Sequence, residues 1–222
     1  WDMVLHHGST EIVSSPQYGL GKIANDYGRG FYCTEDAGLA MEWACKEGRR
    51  TAYVNTYHLD TSGLNVLDLS GSRFHVLNWL SVLVQNRAVF SSFAGAQEAL
   101  LYMKSEFLPD CTGADVMIGY RADDSYFSFV KAFLRNEITI SQLDKTIRLG
   151  KLGKQYFIKS KQAFDALNFV DAIDVDIKTY SKKRKIRETK AIKQYHSILQ
   201  NDKTDSMTIN DLMRKNKNAN NG

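Results

Sequence analysis

Two glycines flanking Arg29 and followed at once by an aromatic pair, Gly28-Arg29-Gly30-Phe31-Tyr32-Cys33-Thr34, constrain this chain more than any other feature. Glycine accepts backbone angles that a side chain would block, so the segment can turn sharply into a short strand. Strand side chains alternate between faces, which sends one of Phe31 and Tyr32 inward and the other toward a cleft. Cys33 lies on the face opposite Tyr32 and reads as a core thiol rather than a nucleophile. Upstream, residues 3–5 read as a buried strand that delivers His7-Gly8-Ser9 at its end, and residues 14–30 are polar and glycine-rich enough for a long loop.

Beyond this stretch, Thr34 is placed to cap a helix with the stripe Ala37, Ala40, Met41, Ala44 and Cys45, ended by Gly48. Residues 51–59 alternate Tyr, Val and Thr, and residues 64–69 follow across a Ser-Gly turn, predicting a pair of strands. Helical periodicity covers 73–87 and 94–107. Residues 116–119 form an apolar strand before Asp123-Asp124 and a helix through Phe127, Val130, Phe133 and Leu134. Strands are expected again at 155–158 and 170–177, with a short helix capped by Ser160 between them. A basic helix over 186–200 and a weaker one near 208–215 follow, and residues from 216 read as frayed. Strands and helices alternate, and the fold class reads as α+β.

With 43% hydrophobic and 11% aromatic residues, the chain can bury a catalytic-sized domain, set at residues 1–177, with a basic helical appendage over 178–222. The net charge of +4 hides an asymmetry, because the appendage carries 12 Lys/Arg against 4 Asp/Glu and leaves the body acidic. Its run Lys182-Lys183-Arg184-Lys185, continued by Arg187, Lys190 and Lys193, reads as a solvated, partly flexible helix face or as a surface for phosphates or an acidic partner. No apolar run approaches the ~18 residues of a membrane span. Three cysteines without a CxxC or a Cys/His cluster suggest neither a disulfide framework nor zinc, and they fit a reducing cytoplasm. His6, His58, His75 and His196 lack metal-ligand spacing, and no charged-then-apolar leader opens the sequence. Neither the G-x-S-x-G of a serine hydrolase nor the glycine-lysine signature of a P-loop occurs.

Taken together, His7-Gly8-Ser9 and Gly28-Arg29-Gly30-Phe31-Tyr32, leading into a helix with Ala40, resemble elements of the poly(ADP-ribose) polymerase-like and diphtheria-toxin-like ADP-ribosyltransferases. Those elements are a His-Gly-Ser and a Gly-x-Gly-aromatic-Tyr. Asn25, Asp26, Tyr27, Trp43 and Ala44 extend the likeness to an uncharacterised bacterial branch of that superfamily. The resemblance implies a split antiparallel sheet, NAD+ as co-substrate, no metal, and three diagnostic positions on three separate strands. His7 would hydrogen-bond the adenosine ribose. Gly8, with Ser9 completing the motif, would present backbone groups to the nicotinamide carboxamide, and Tyr32 would stack on the nicotinamide ring. Arg29, beside Gly30, would reach the pyrophosphate, since a guanidinium suits phosphate geometry. The third position is usually a glutamate at the start of a later strand, and the best candidate here is Gln155, a departure from the commonest pattern.

Breaking the nicotinamide–ribose bond passes through an oxocarbenium-like state that a nearby carboxylate stabilises. A glutamine orients without compensating charge. Asp123 and Asp124 are therefore the candidates for charge stabilisation or acceptor activation, unless one of them only caps the following helix. The function implied is transfer of ADP-ribose to a macromolecular acceptor, protein or nucleic acid, by a bacterial toxin or effector with a neutralising protein partner. An NAD+ glycohydrolase and a non-catalytic module binding NAD+ or ADP-ribose stay open within the same resemblance, and the missing glutamate supports the second.

Overall fold

A computed structural model describes residues 2–45, 48–87, 96–122, 126–201 and 206–220. Two small sheets and eight α-helices make up the described residues, an α+β fold. The first sheet joins β1 (Asp2–Ser9), β3 (Tyr53–Asp60) and β7 (Leu167–Asp174) in the order β1-β3-β7, antiparallel throughout. The second runs β2 (Phe31–Cys33), β6 (Lys154–Ile158), β5 (Val116–Tyr120) and β4 (Val66–Asp68) in that order.

The second sheet is mixed rather than wholly antiparallel, because β4 and β5 run parallel. A parallel pair needs a crossover, and α2 (Val76–Asn86) and α3 (Gln97–Phe107) supply it. This corrects the pairing expected for residues 64–69. The chain turns where Leu64 N donates to the Thr61 carbonyl at 3.1 Å, leaves the first sheet, and enters the second as β4 instead of pairing with β3.

The sheets face each other across Leu5, Cys33, Tyr57, Leu59, Tyr156 and Ile158, all buried. The far face of the second sheet, through Met117 and Phe157, packs on a helical layer built around Trp79, Leu80, Leu83, Met103 and Phe133. This layer also takes in α4 (Phe127–Leu134) and α5 (Ile140–Ile147), while α6 (Lys161–Asp165) precedes β7.

Helix α1 (Ala37–Ala44) lies against β1 and β3, with Ala40 and Ala44 packed near Val54. Its cap is Asp36, whose carboxylate accepts from Leu39 N at 3.0 Å, and not Thr34, whose backbone is committed to a bridge with His6. Helix α7 (Ile177–Asn201) begins well before residue 186, since residues 177–185 gain a surface to pack on. Ala191 is buried, the Tyr195 and Phe129 rings lie 4.2 Å apart, and Arg187 Nε meets Glu42 of α1 at 2.7 Å. Helix α8 (Ile209–Asn220) follows with Ile209 fully buried, so the described part of residues 178–222 packs on the body. No helix among the described residues is long and apolar enough to cross a membrane, and all three cysteines are free.

Candidate functional site

Between β1 and β2 the two sheets meet at a single bridge: His6 N donates to Thr34 O at 2.7 Å and Thr34 N to His6 O at 2.9 Å. Past this bridge the strands part, and a side chain replaces the missing backbone partner. His7 Nδ1 donates to the Tyr32 carbonyl at 2.7 Å. A carbonyl only accepts, so the proton sits on Nδ1 and Nε2 is left as an acceptor. Burial pulls the His7 pKa below its ordinary value against the opposing pull of that carbonyl, which keeps the ring neutral at pH 7.

A cleft of about 210 Å³ opens at this parting, lined by His7, Gly8, Tyr32 and Gln155 among others. The period of two puts Met3, Leu5 and His7 on one face of β1, so the strand passes from core to cleft along a single side. Gly8 is required by packing. A Cβ there would lie 2.1 Å from the Ala40 carbonyl oxygen and 2.8 Å from Ala44 N, both backbone atoms of α1. Tyr32 is fixed by its own turn, in which Gly28 takes a φ of +96°. Its hydroxyl donates to the Gly28 carbonyl at 2.5 Å and accepts from Tyr27 N at 3.1 Å, and its ring lies 4.9 Å from that of Phe157. Burial pushes the Tyr32 phenol well up, so it stays protonated. Tyr27 braces the turn by donating to the Tyr120 carbonyl at 2.7 Å.

Gln155 sits opposite Gly119 in the β5–β6 ladder, 6% exposed. Its Oε1 is buried and makes no hydrogen bond with the described residues. An amide oxygen stranded in this way costs on the order of 1–3 kcal/mol, which a bound donor would recover.

Opposite these strands stand four guanidinium groups, those of Arg49, Arg87, Arg121 and Arg184, and one carboxylate, Asp26. Arg87 Nε and Nη2 reach Asp26 Oδ1 at 2.7 and 2.6 Å, and Ala122 N approaches Oδ2 at 3.4 Å. Asp26 is nearly inaccessible, and burial raises its pKa above the ordinary value despite the pull of Arg87. The Arg121 guanidinium carbon lies 3.5 Å over the Trp43 ring, and Arg184 comes from α7, where its Nε is 2.8 Å from Glu188. The excess of fixed positive charge in a recess shaped by strand edges suits an anionic ligand.

The structure therefore gathers His7, Gly8, Tyr32 and Gln155. Ser9, Arg29 and Gly30 do not line the cleft: Ser9 Oγ accepts from Glu11 N at 3.2 Å, Arg29 is exposed, and Gly30 packs under Phe157, whose ring a Cβ would meet at 2.3 Å. Asp123 and Asp124 lie outside the described residues. Sequence reasoning missed Asp26 as the cleft carboxylate and the place of all four arginines in its lining. Arg121, directly after an apolar strand, carried a usable signal, since binding residues collect at strand ends, and Arg184 carried one through the basic run Lys182-Lys183-Arg184-Lys185, though not toward this cleft, whereas Arg87 carried none.

A wider concavity of about 830 Å³ lies between His75 and α8, but its histidine and its carboxylate are already engaged. His75 caps α2, and Asp211 accepts from Thr208. No group of three or more His, Cys, Asp or Glu side chains able to hold a metal occurs among the described residues. A family model described as a protein of unknown function, DUF3990, matches residues 3–169, and the chain belongs to that family. No curated protein and no solved structure matches.

Proposed function

We propose that this DUF3990 protein binds NAD+ in the cleft between its sheets and transfers ADP-ribose to a macromolecular acceptor. One observation carries the reading: His7 of β1, Tyr32 of β2 and Gln155 of β6 come from three strands to a single cleft where two sheets part. That is the arrangement which the resemblance to split-sheet ADP-ribosyltransferases implies. NAD+ would supply a nicotinamide–ribose bond whose cleavage leaves positive charge on the ribose.

The residues fit such a ligand. Neutral His7 offers Nε2 to a ribose hydroxyl, the stranded Gln155 Oε1 offers a second acceptor, and Tyr32 offers an aromatic face backed by Phe157. Arg49, Arg121 and Arg184 present the donors that pyrophosphate oxygens take. At about 210 Å³ the cleft is smaller than the roughly 300–1,000 Å³ of pockets that enclose drug-sized ligands, so it would hold one end of the dinucleotide and leave the other on the rim. Asp26 is held by Arg87, and Gln155 offers a dipole rather than a charge to the ribose, so slow turnover is expected.

Gln155 also favours a second reading, a module that binds NAD+ or ADP-ribose without turning it over. Nicotinamide release and transfer of labelled ADP-ribose from NAD+, followed in a lysate for the parent, His7→Ala and Tyr32→Ala, separate the two. Label on a discrete species, lost in both folded variants, supports the transferase. Free ADP-ribose without a labelled acceptor marks a glycohydrolase, and saturable binding without nicotinamide release marks the module. Failure of the parent to bind NAD+ at all sinks the whole reading.

A further inference from the structure

Helix α7 docks through one side, where Arg184, Arg187, Ala191 and Tyr195 recur at helical spacing. All six of its lysines, Lys178, Lys182, Lys183, Lys185, Lys190 and Lys193, are consequently exposed, and its one acidic residue, Glu188, is turned to Arg184. Lys182, Lys185, Lys190 and Lys193 make no ion pair with the described residues. A groove of about 540 Å³ runs beside this face, and Arg148, Lys151, Lys183 and Lys190 add their charge to it above Leu149 and Ile186. The groove adjoins the cleft along two helices: Glu42 lines the groove and Trp43 the cleft, Lys183 the groove and Arg184 the cleft.

We infer that the lysine face of α7 and this groove bind the phosphate backbone of a nucleic acid. At 1.5 Å per residue, the stretch from Lys178 to Lys193 spans about 22 Å, whereas a duplex presents one charge about every 1.7 Å. Cations spread over that length match a polymer of phosphates better than a single phosphate group. A helix that lies on a membrane buries an apolar face in it, whereas Ile186, Ile192 and Leu199, the large apolar side chains that α7 leaves exposed, are scattered along it and form no continuous face. A protein partner would want a broad apolar centre within a polar rim, whereas Leu149 and Ile186 are the large apolar residues lining this groove. The inference does not rest on the NAD+ reading.

Anisotropy of a labelled oligonucleotide of mixed sequence, titrated with the full chain between about 50 and 200 mM salt, tests it. Binding is expected with log K falling linearly in log salt. The triple variant Lys185→Gln, Lys190→Gln, Lys193→Gln should bind more weakly, its slope flattened by about 0.9 for each phosphate that is no longer neutralised. A control with the same charge change elsewhere, Lys22→Gln, Lys104→Gln, Lys161→Gln, should keep the parent slope. Three results overturn the inference: no binding at the lowest salt, an unchanged slope in the α7 variant, or capture by phosphatidylserine vesicles but not by the oligonucleotide. His7→Ala and Tyr32→Ala should bind the oligonucleotide like the parent, so failure of the NAD+ reading leaves this result standing and the reverse also holds.

Discussion

On the strand wall of the cleft, backbone does the placing. His7 completes the edge of β2 through a carbonyl, Gly8 lies against the backbone of α1, and Tyr32 is tied to its own turn. On the cationic wall, Arg49 follows α1, Arg87 ends α2, Arg121 ends β5 and Arg184 belongs to α7, so charge alone unites them. The strand wall should therefore fail by steric clash at any added atom, whereas the cationic wall should tolerate loss of an arginine unless that arginine neutralises a buried carboxylate.

The largest test of the contrast is Gly8→Val. Its branched side chain has no room against the Ala40 and Ala44 backbone, which a side-chain rotation cannot relieve, and the expected loss of stability is about 3 kcal/mol by urea unfolding. Gly19→Ala, at a φ of +82° with nothing within 4 Å, bears only the left-handed penalty of roughly 1 kcal/mol. Equal losses for the two would mean that α1 is free to shift and that the strand wall is not rigid.

Next comes Arg87→Met, expected to cost about 3 kcal/mol because it strands the buried Asp26 carboxylate. Adding Asp26→Asn should return part of that loss, while Arg49→Met should cost less than about 1 kcal/mol. The pH dependence has a definite sign. Without Arg87, burial raises the Asp26 pKa further, so the variant regains stability relative to the parent as pH falls and Asp26 takes up a proton. A deficit independent of pH would place the cost in lost packing over Phe127 instead.

The two walls also differ in how legible they are. The strand and turn around Tyr32 and its glycines could be read because strand period and glycine turns are local rules, while His7 and Gln155 are singled out through the positions that the family resemblance implies. The pairing of Arg87 with Asp26 spans 61 residues and that of Arg187 with Glu42 spans 145, and no local pattern encodes either. Errors elsewhere have the same source. Thr34 has the chemistry of a cap but spends its backbone on His6, and β4 neighbours β3 in sequence yet pairs with β5 after a turn. Helix α5 is a different case: its capping box, Thr139 with Gln142, and its apolar period through Ile140, Leu143 and Ile147 are both local signals, and sequence reasoning missed both.

Gln155→Glu sharpens the comparison by moving charge onto the strand wall. The arginines opposite would hold the new carboxylate ionised, and on the transferase reading nicotinamide release should rise by up to about a hundredfold. A fall in release, with NAD+ binding retained, would favour the binding module and show that the amide, not its missing charge, is what the site uses.

The smallest expected effect is a shallow acid limb of stability from His7. Its folded pKa lies below the ordinary 6.5, so below that pH the unfolded chain takes up a proton that the folded chain refuses. Stability should be full above about pH 6.5 and decline as pH falls toward the folded pKa, then level off. His6 adds to the same limb, since burial lowers its pKa against the opposing pulls of Asp171 and Asp36. Melting temperatures of the parent and His7→Asn between about pH 7 and pH 5 isolate the His7 share, because asparagine can still donate to the Tyr32 carbonyl but does not titrate. The variant should show the flatter limb. Identical limbs would mean that His7 is not held neutral by burial, and Nε2 would then no longer be secured as the acceptor on which the strand wall's part in ligand binding depends.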